Sequence, residues 1–240
     1  FRAAGVLAAA DVHVARRVAR LSGERVTEPV LFGTALAVRA VRTGSTCVQL
    51  DRLDELAADT DRAAAERAAA TGDEPPARPA WPDTDELIAA LRSSPLVTGC
   101  AGGPLRPLAL ADSADGPLLY LRKYYRQEQS IRRILDDRAA RRPDVDQAAV
   151  AAALERAFGP ATGAGYDRQR AAAALAAGSW TTVLAGGPGT GKTYTVARML
   201  VVLQTLLGTD LRIGLCAPTG RAAAQLQSAI GAYQRDSGLL

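Results

Sequence analysis

Apolar residues recur at helical spacing through most of the first 158 residues. This periodicity predicts helices over residues 3–21, 28–41, 83–93, 122–139 and 144–158. Alanine-rich segments that continue to about residue 70 are also predicted to be helical. A short apolar run at 47–50 predicts a strand. The apolar runs 106–110 and 117–121 flank Ala-Asp-Ser-Ala-Asp-Gly and predict a β-hairpin. Four prolines between 71 and 82 indicate a loop.

The pattern changes in the last third of the chain. After a predicted helix over 167–177, the β-branched run 180–185 predicts a strand, 194–203 a helix, and 211–216 a second strand. Strand, loop, helix, strand is how a parallel α/β sheet begins. We therefore predict an α/β protein of two domains. Residues 1–150 form a mostly helical domain with a small hairpin, and residues 151–240 form the start of a parallel α/β domain.

Composition narrows the class of protein. Hydrophobic residues make up 48% of the 240, and no apolar run is long enough for a membrane span, so we expect a soluble, cytoplasmic protein. The three cysteines, Cys47, Cys100 and Cys216, are too far apart to suggest a metal cluster or a disulfide framework, and His13 is the only histidine. The net charge is +4, with eight basic and three acidic side chains between 122 and 142. The chain starts at Phe1 within a helical pattern, and we expect it to be a fragment.

The segment between the predicted strand at 180–185 and the next helix carries the strongest motif. It fits the phosphate-binding pattern G-x-x-x-x-G-K-[ST] at every fixed position: Gly186, Gly187, Pro188, Gly189, Thr190, Gly191, Lys192, Thr193. Glycines let the backbone N–H groups approach a phosphate. Lys192 is expected to reach the β- and γ-phosphates and the Thr193 hydroxyl to bind Mg²⁺. We expect these residues and the following Tyr194 to bind ATP.

The scarcity of lysine in the chain supports this interpretation. The sequence holds 27 arginines but only Lys123 and Lys192. A lysine at this position in so arginine-rich a chain indicates that a compact ammonium is required.

Three further segments have both a functional and an ordinary structural interpretation. Pro218, Thr219, Gly220 and Arg221 follow the second predicted strand, where they form either an anion site or a plain strand-to-helix turn. Gln169 has an amide suited to an adenine edge, or it is a solvated helix residue. The aromatic and basic run 119–126 suits nucleic acid or, more simply, a packed helix face.

Taken together, these motifs resemble a known family. Gln169, the loop 186–193 and Ala-Pro-Thr-Gly-Arg-Ala-Ala-Ala at 217–224 occur in the order found in the alpha subunit of exodeoxyribonuclease V, the RecD-type superfamily 1 DNA helicases. The helical region, hairpin and Leu-Tyr-Leu-Arg-Lys-Tyr-Tyr element before Glu128 are also similar. Arg168 departs from the aromatic that the family usually has there, and the acidic, proline-rich segment 54–82 has no counterpart that we can match.

The resemblance implies a truncated RecA-like motor domain after a domain that docks partners. It implies 5′→3′ translocation on single-stranded DNA, DNA ends as substrate, the beta and gamma subunits of an exodeoxyribonuclease V complex as partners, and a role in double-strand break repair. Pro218, Thr219, Gly220 and Arg221 would then contact DNA, and Gln169 would read adenine.

Other functions stay open at this point. Beyond Thr193 the only acids are Asp210 and Asp236, and neither follows an apolar strand as a Mg²⁺-binding carboxylate would, so we expect poor turnover by these 240 residues alone. The alternatives are a stand-alone RecD-like helicase, a P-loop NTPase regulator that does not bind DNA, and, for residues 1–150 alone, a non-enzymatic docking module.

Overall fold

A computed structural model describes residues 1–240 except 73, 75, 100, 101, 161–163, 209 and 237–240. Cys100 therefore lies outside the described residues. Packing divides the chain into two compact units, residues 1–131 and 132–240. Residue 150 lies within a helix of the second unit, and the predicted domain boundary there stays a prediction.

Helices dominate the first unit, as predicted. They are α1 (Ala9–Ser22), α2 (Glu28–Arg42), α3 (Leu53–Thr71), α4 (Thr84–Ser93), the short α5 (Pro95–Thr98) and the beginning of α6 (Arg122–Ala139). The first helix is shorter than the predicted 3–21, because residues 2–5 form a turn that buries Val6 and Leu7 in the core. Asp83 caps α4, since its carboxylate accepts a hydrogen bond of 3.0 Å from the Glu86 amide.

The predicted hairpin is part of a three-stranded antiparallel sheet. Strands β1 (Cys47–Gln49), β2 (Leu108–Ser113) and β3 (Gly116–Leu121) lie in the order β1-β3-β2. Cys47 pairs with Tyr120, and the hairpin closes between Ser113 and Gly116. The φ of Gly116 is +99°, a backbone conformation that favours glycine at the turn.

Leucines from helices and strands fill the core of this unit. The fully buried ones are Leu36, Leu50, Leu87, Leu91, Leu96, Leu108 and Leu119. One charged side chain is also buried among the described residues: Asp11 of α1 accepts hydrogen bonds from Arg42 at 3.0 and 2.8 Å and from the Ala8 amide at 2.8 Å. Burial opposes ionisation of Asp11, but these hydrogen bonds and the charges of Arg42 and Arg39 outweigh it and lower its pKa.

The second unit is built around one helix. It contains α7 (Gln147–Phe158), α8 (Ala164–Ala177), α9 (Lys192–Leu207) and α10 (Gly220–Asp236), and the other three each pack on α9. Its core includes Val150, Leu154, Ala173, Val201 and Val202. No helix in the described part of either unit is long and apolar enough to cross a bilayer.

The two strands predicted in this unit are not formed. Within the described ranges, residues 180–185 and 211–216 take part in no β-ladder, either with each other or with another segment. Val183 is 81% exposed. Apolar, β-branched residues favour an extended backbone, but a strand exists only when a second strand satisfies its N–H and C=O groups. Whether such a partner strand is present depends on distant residues, so it cannot be predicted from the apolar pattern of one segment.

Candidate nucleotide site

The phosphate-loop motif forms a tight turn that leads into the first residue of α9. Gly191 precedes the helix with φ 78° and ψ 23°, and Gly189 has φ 74°. Both values lie in the left-handed region, where only glycine is free of strain. The turn therefore requires glycine at two of the positions that the motif specifies.

Close packing inside the loop explains a third glycine. A Cβ atom on Gly186 would lie 2.7 Å from the Thr190 hydroxyl oxygen, so no larger residue fits without displacing Thr190. That hydroxyl in turn donates a 2.9 Å hydrogen bond to the Gly187 carbonyl. Thr190, a variable position of the motif, thus holds the loop in its curved shape.

The Lys192 side chain folds back over the loop. Its ammonium donates to the carbonyl oxygens of Gly186 at 2.7 Å and of Gly187 at 2.5 Å. These acceptors are neutral and lie on an exposed segment, so a phosphate oxygen would be a stronger partner for the same ammonium. The site therefore holds a cation at the start of a helix, where the N-terminal amides also favour an anion.

The Gln169 side chain, predicted as the adenine reader, lies against the same loop. A Cβ on Gly191 would be 3.0 Å from the Gln169 amide nitrogen, which places this end of the side chain beside the last glycine of the loop. The Gln169 Oε1 atom is buried and has no hydrogen-bond partner among the described residues. A buried amide oxygen without a donor is costly, and an exocyclic amino group such as the N6 of adenine would satisfy it. These residues fit a nucleoside triphosphate.

The first turn of α9 contributes two further predicted residues. Thr193 is exposed there, and Tyr194 is half-buried with its ring 4.2 Å from the Arg198 guanidinium carbon. The same guanidinium lies 5.1 Å from the Phe158 ring. Arg198 was not singled out from the sequence. Its spacing of four residues from Tyr194 on a helix is the signal that could have found it.

The segment Pro218–Arg221 forms the start of α10. The Thr219 hydroxyl oxygen accepts a 3.2 Å hydrogen bond from the Ala222 amide, so Thr219 caps this helix. Pro218, Gly220 and Arg221 are exposed. Helix α10 packs on α9, so Pro218–Arg221 and the phosphate loop at the start of α9 belong to the same unit.

The aromatic and basic run 119–126 begins in a packed strand, while its Lys123 and Arg126 are exposed on α6. Tyr120 is buried, its ring meets the Tyr125 ring edge-on at 5.3 Å, and its hydroxyl donates to Glu128 at 3.2 Å. Burial raises the pKa of Tyr120, and Cys47 and Glu128 raise it further.

Two family models match this chain. The family described as "RecBCD enzyme subunit RecD, N-terminal domain" matches residues 3–116, and an AAA domain matches residues 169–236. The second match begins at Gln169 and includes the loop and α10.

Similar proteins carry related names. The chain is 41% identical over 235 residues to the RecBCD enzyme subunit RecD of Mycobacterium tuberculosis, covering 96% of this chain and 35% of that protein. It is 42% identical to the same subunit of Mycolicibacterium smegmatis over 95% of this chain and 35% of that protein. It is 46% identical over 55 residues to the ATP-dependent RecD2 DNA helicase of Deinococcus radiodurans, covering 23% of this chain and 7% of that protein. The chain thus spans about a third of the length of the mycobacterial relatives. Residues 3–116 thus belong to the RecD N-terminal domain family, and residues 169–236 carry the AAA domain that follows it.

Proposed function

We propose that this chain supplies the nucleotide-binding loop and a DNA contact to an ATP-dependent DNA helicase subunit of a nuclease–helicase complex in double-strand break repair. The observation that carries the proposal is the Lys192 ammonium held over a left-handed glycine turn, with the amide nitrogen of the half-buried Gln169 against it. The names of the relatives supply the reaction class. The subunit would move 5′→3′ on single-stranded DNA from DNA ends, in the cytoplasm.

Each residue of the loop has a defined part in this proposal. Backbone amides of Gly186–Gly191 and the start of α9 would bind the phosphates, and Lys192 would exchange its two carbonyl partners for phosphate oxygens. Thr193 would hold Mg²⁺, the ion that neutralises charge on the phosphates during transfer. Gln169 would accept a hydrogen bond from adenine at its unpartnered oxygen, while Tyr194 and Arg198 would border the site.

Thr219 and Arg221 would contact the DNA backbone. A capped helix start with exposed side chains and one guanidinium suits phosphate contacts without base reading. Pro218 and Gly220 would shape the turn that presents them.

The first unit favours a complex over a stand-alone helicase. Residues 3–116 match a domain named for a subunit of the RecBCD enzyme, and we propose that this unit docks the beta and gamma subunits. The RecD2 helicase from Deinococcus is matched over a much smaller part of this chain. A regulator that binds nucleotide but no DNA is the remaining alternative.

Replacing Lys192 tests the nucleotide site. Loss of one charge-assisted phosphate contact costs about 2–4 kcal/mol, so Lys192→Ala should weaken ATP binding about 30- to 900-fold. Lys123→Ala, at the other lysine, is the matched control and should bind as the unaltered chain does. Titration of a fluorescent ATP analogue with Mg²⁺ measures both. Affinity of the Lys192 variant within threefold of the control would disprove the assignment.

A second measurement tests the helicase proposal itself. In a full-length protein that carries this chain, ATP hydrolysis should rise when single-stranded DNA is added. Hydrolysis that ignores DNA would favour the regulator, even if Lys192 binds ATP.

A further inference from the structure

A surface cavity of about 660 Å³ lies in the second unit, apart from the loop and from Pro218–Arg221. Its lining consists of Arg138, Arg141, Arg142 and Trp180. Neither the nucleotide site nor the proposed DNA contact uses any of these four residues.

The four side chains come from two separate parts of the chain. Arg138 lies in the last turn of α6, and the other two arginines follow the end of that helix. Trp180 follows α8. The Arg138 guanidinium donates a 3.2 Å hydrogen bond to the hydroxyl of Thr181, the residue after the tryptophan. This contact fixes the end of the basic helix beside the indole.

The cavity has an excess of positive charge. All three arginines are exposed. Within the described part of the chain, no carboxylate lines the cavity and no ion pair involves Arg138, Arg141 or Arg142. The Arg141 side chain donates to the neutral Asp137 backbone carbonyl, at 3.4 Å. The guanidinium groups are therefore available to an anionic ligand.

Trp180 is the second unusual feature of this surface. Its side chain is 60% exposed, although an indole normally buries most of its area. The other tryptophan, Trp81, instead packs edge-on against Phe1 and Phe32. An exposed indole beside three arginines offers a flat ring and several phosphate donors on one surface.

We propose that this cavity binds single-stranded nucleic acid, with one base stacked on Trp180 and the adjoining phosphates on Arg138, Arg141 and Arg142. Base stacking on aromatic side chains next to a basic groove is the general means of binding single strands without reading sequence. An acidic peptide would use the arginines but would have no use for the exposed ring. The volume lies within the range of about 300–1,000 Å³ typical of ligand sites, enough for a nucleotide. The proposal stands whether or not the chain belongs to a helicase.

Tryptophan fluorescence tests the proposal directly on this 240-residue chain. Titration with a 20-nucleotide oligodeoxythymidylate, without ATP, should quench the emission of Trp180, while Trp81 supplies an unquenched baseline. Trp180→Phe should abolish the quenching but retain affinity, measured by anisotropy of labelled DNA, because phenylalanine still stacks. Trp180→Ala should lose affinity about 5- to 150-fold, the value of one stacked base.

The arginines are tested by salt dependence. The double variant Arg141→Ala/Arg142→Ala should reduce the slope of log affinity against log salt by about 1.4, or about 0.7 per phosphate on a single strand. Arg16→Ala/Arg17→Ala, a pair of adjacent exposed arginines on α1, is the control and should leave the slope unchanged.

Several outcomes would overturn the proposal. They are quenching that persists in Trp180→Phe, unchanged affinity in Trp180→Ala, an unchanged salt slope in the arginine variant, or equal quenching by thymidine monophosphate. Quenching of Trp180 by polyglutamate but not by DNA would assign the surface to an acidic protein instead. Because this titration contains no ATP and reads the emission of Trp180 alone, failure of the proposed function and failure of this site are distinguishable.

Discussion

Substituting Gly191 by alanine separates backbone strain from loss of the nucleotide site. In the left-handed conformation observed there, φ 78° and ψ 23°, an L residue costs about 1–2 kcal/mol. The new Cβ would also lie 3.0 Å from the Gln169 amide nitrogen, about 0.4 Å short of ordinary contact. Since that nitrogen is the free end of a flexible side chain, Gln169 can move away at little further cost in stability.

Its movement should nevertheless impair binding. The methyl group occupies the space between the loop and the Gln169 amide, the two parts that we propose hold the phosphates and the base. We expect Gly191→Ala to lower ATP affinity at least tenfold, equivalent to about 1.4 kcal/mol. Titration of a fluorescent ATP analogue measures the affinity, and circular dichroism verifies that the variant is folded.

Gly23 provides the control for strain alone. It ends α1 with φ 71° and ψ 1°, and a Cβ there would meet nothing within 4 Å. Gly23→Ala should therefore lose a similar free energy of unfolding while binding ATP normally. If Gly191→Ala binds ATP as tightly as Gly23→Ala does, the arrangement of loop and Gln169 described above does not form the nucleotide site.

Substitutions of Gln169, Arg221 and Asp11 test three other parts of the structure. Gln169→Ala should reduce the preference for ATP over GTP more than it reduces phosphate binding; an unchanged ratio of the two affinities would make Gln169 an ordinary helix residue. Arg221→Ala should weaken single-stranded DNA binding uniformly across sequences and lower the salt slope by about 0.7, with nucleotide affinity unaltered in the absence of DNA; intact salt dependence would contradict the proposed backbone contact. Because the pKa of Asp11 is lowered on folding, its ionised form adds stability above its unfolded value of about 3.9, and this stability is lost as the pH falls through the folded pKa. Asp11→Asn should thus have a lower Tm at pH 7 and a flatter decline of Tm below about pH 4, and a decline as steep as that of the unaltered chain would refute this account.

The elements that could be predicted from the sequence are those determined by neighbouring residues. Helix α2 matches its apolar periodicity to within one residue, and the hairpin forms around the predicted polar turn. The capping carboxylate of Asp83 was also foreseeable, since it bonds three residues along the chain. In each case the stabilising partner lies within a few residues, so the local pattern contains the information.

The candidate site shows where such reasoning stops. The loop motif identifies Lys192 and Thr193 because it specifies residue types at a fixed spacing. Nothing in that spacing places the Gln169 amide against Gly191; the packing of α8 on α9 does so, and it leaves the amide oxygen buried without a donor. Arg138 lies beside Trp180 for a similar reason, because its guanidinium donates a hydrogen bond to Thr181, the residue after the tryptophan and distant from Arg138 in the chain. The residue types of a site can therefore be predicted from the sequence. Which of their polar atoms lack a hydrogen-bond partner, and so await a ligand, depends on tertiary contacts. For that reason the Gly191 and Trp180 variants test more than the motif does: each perturbs a contact that only the folded chain creates.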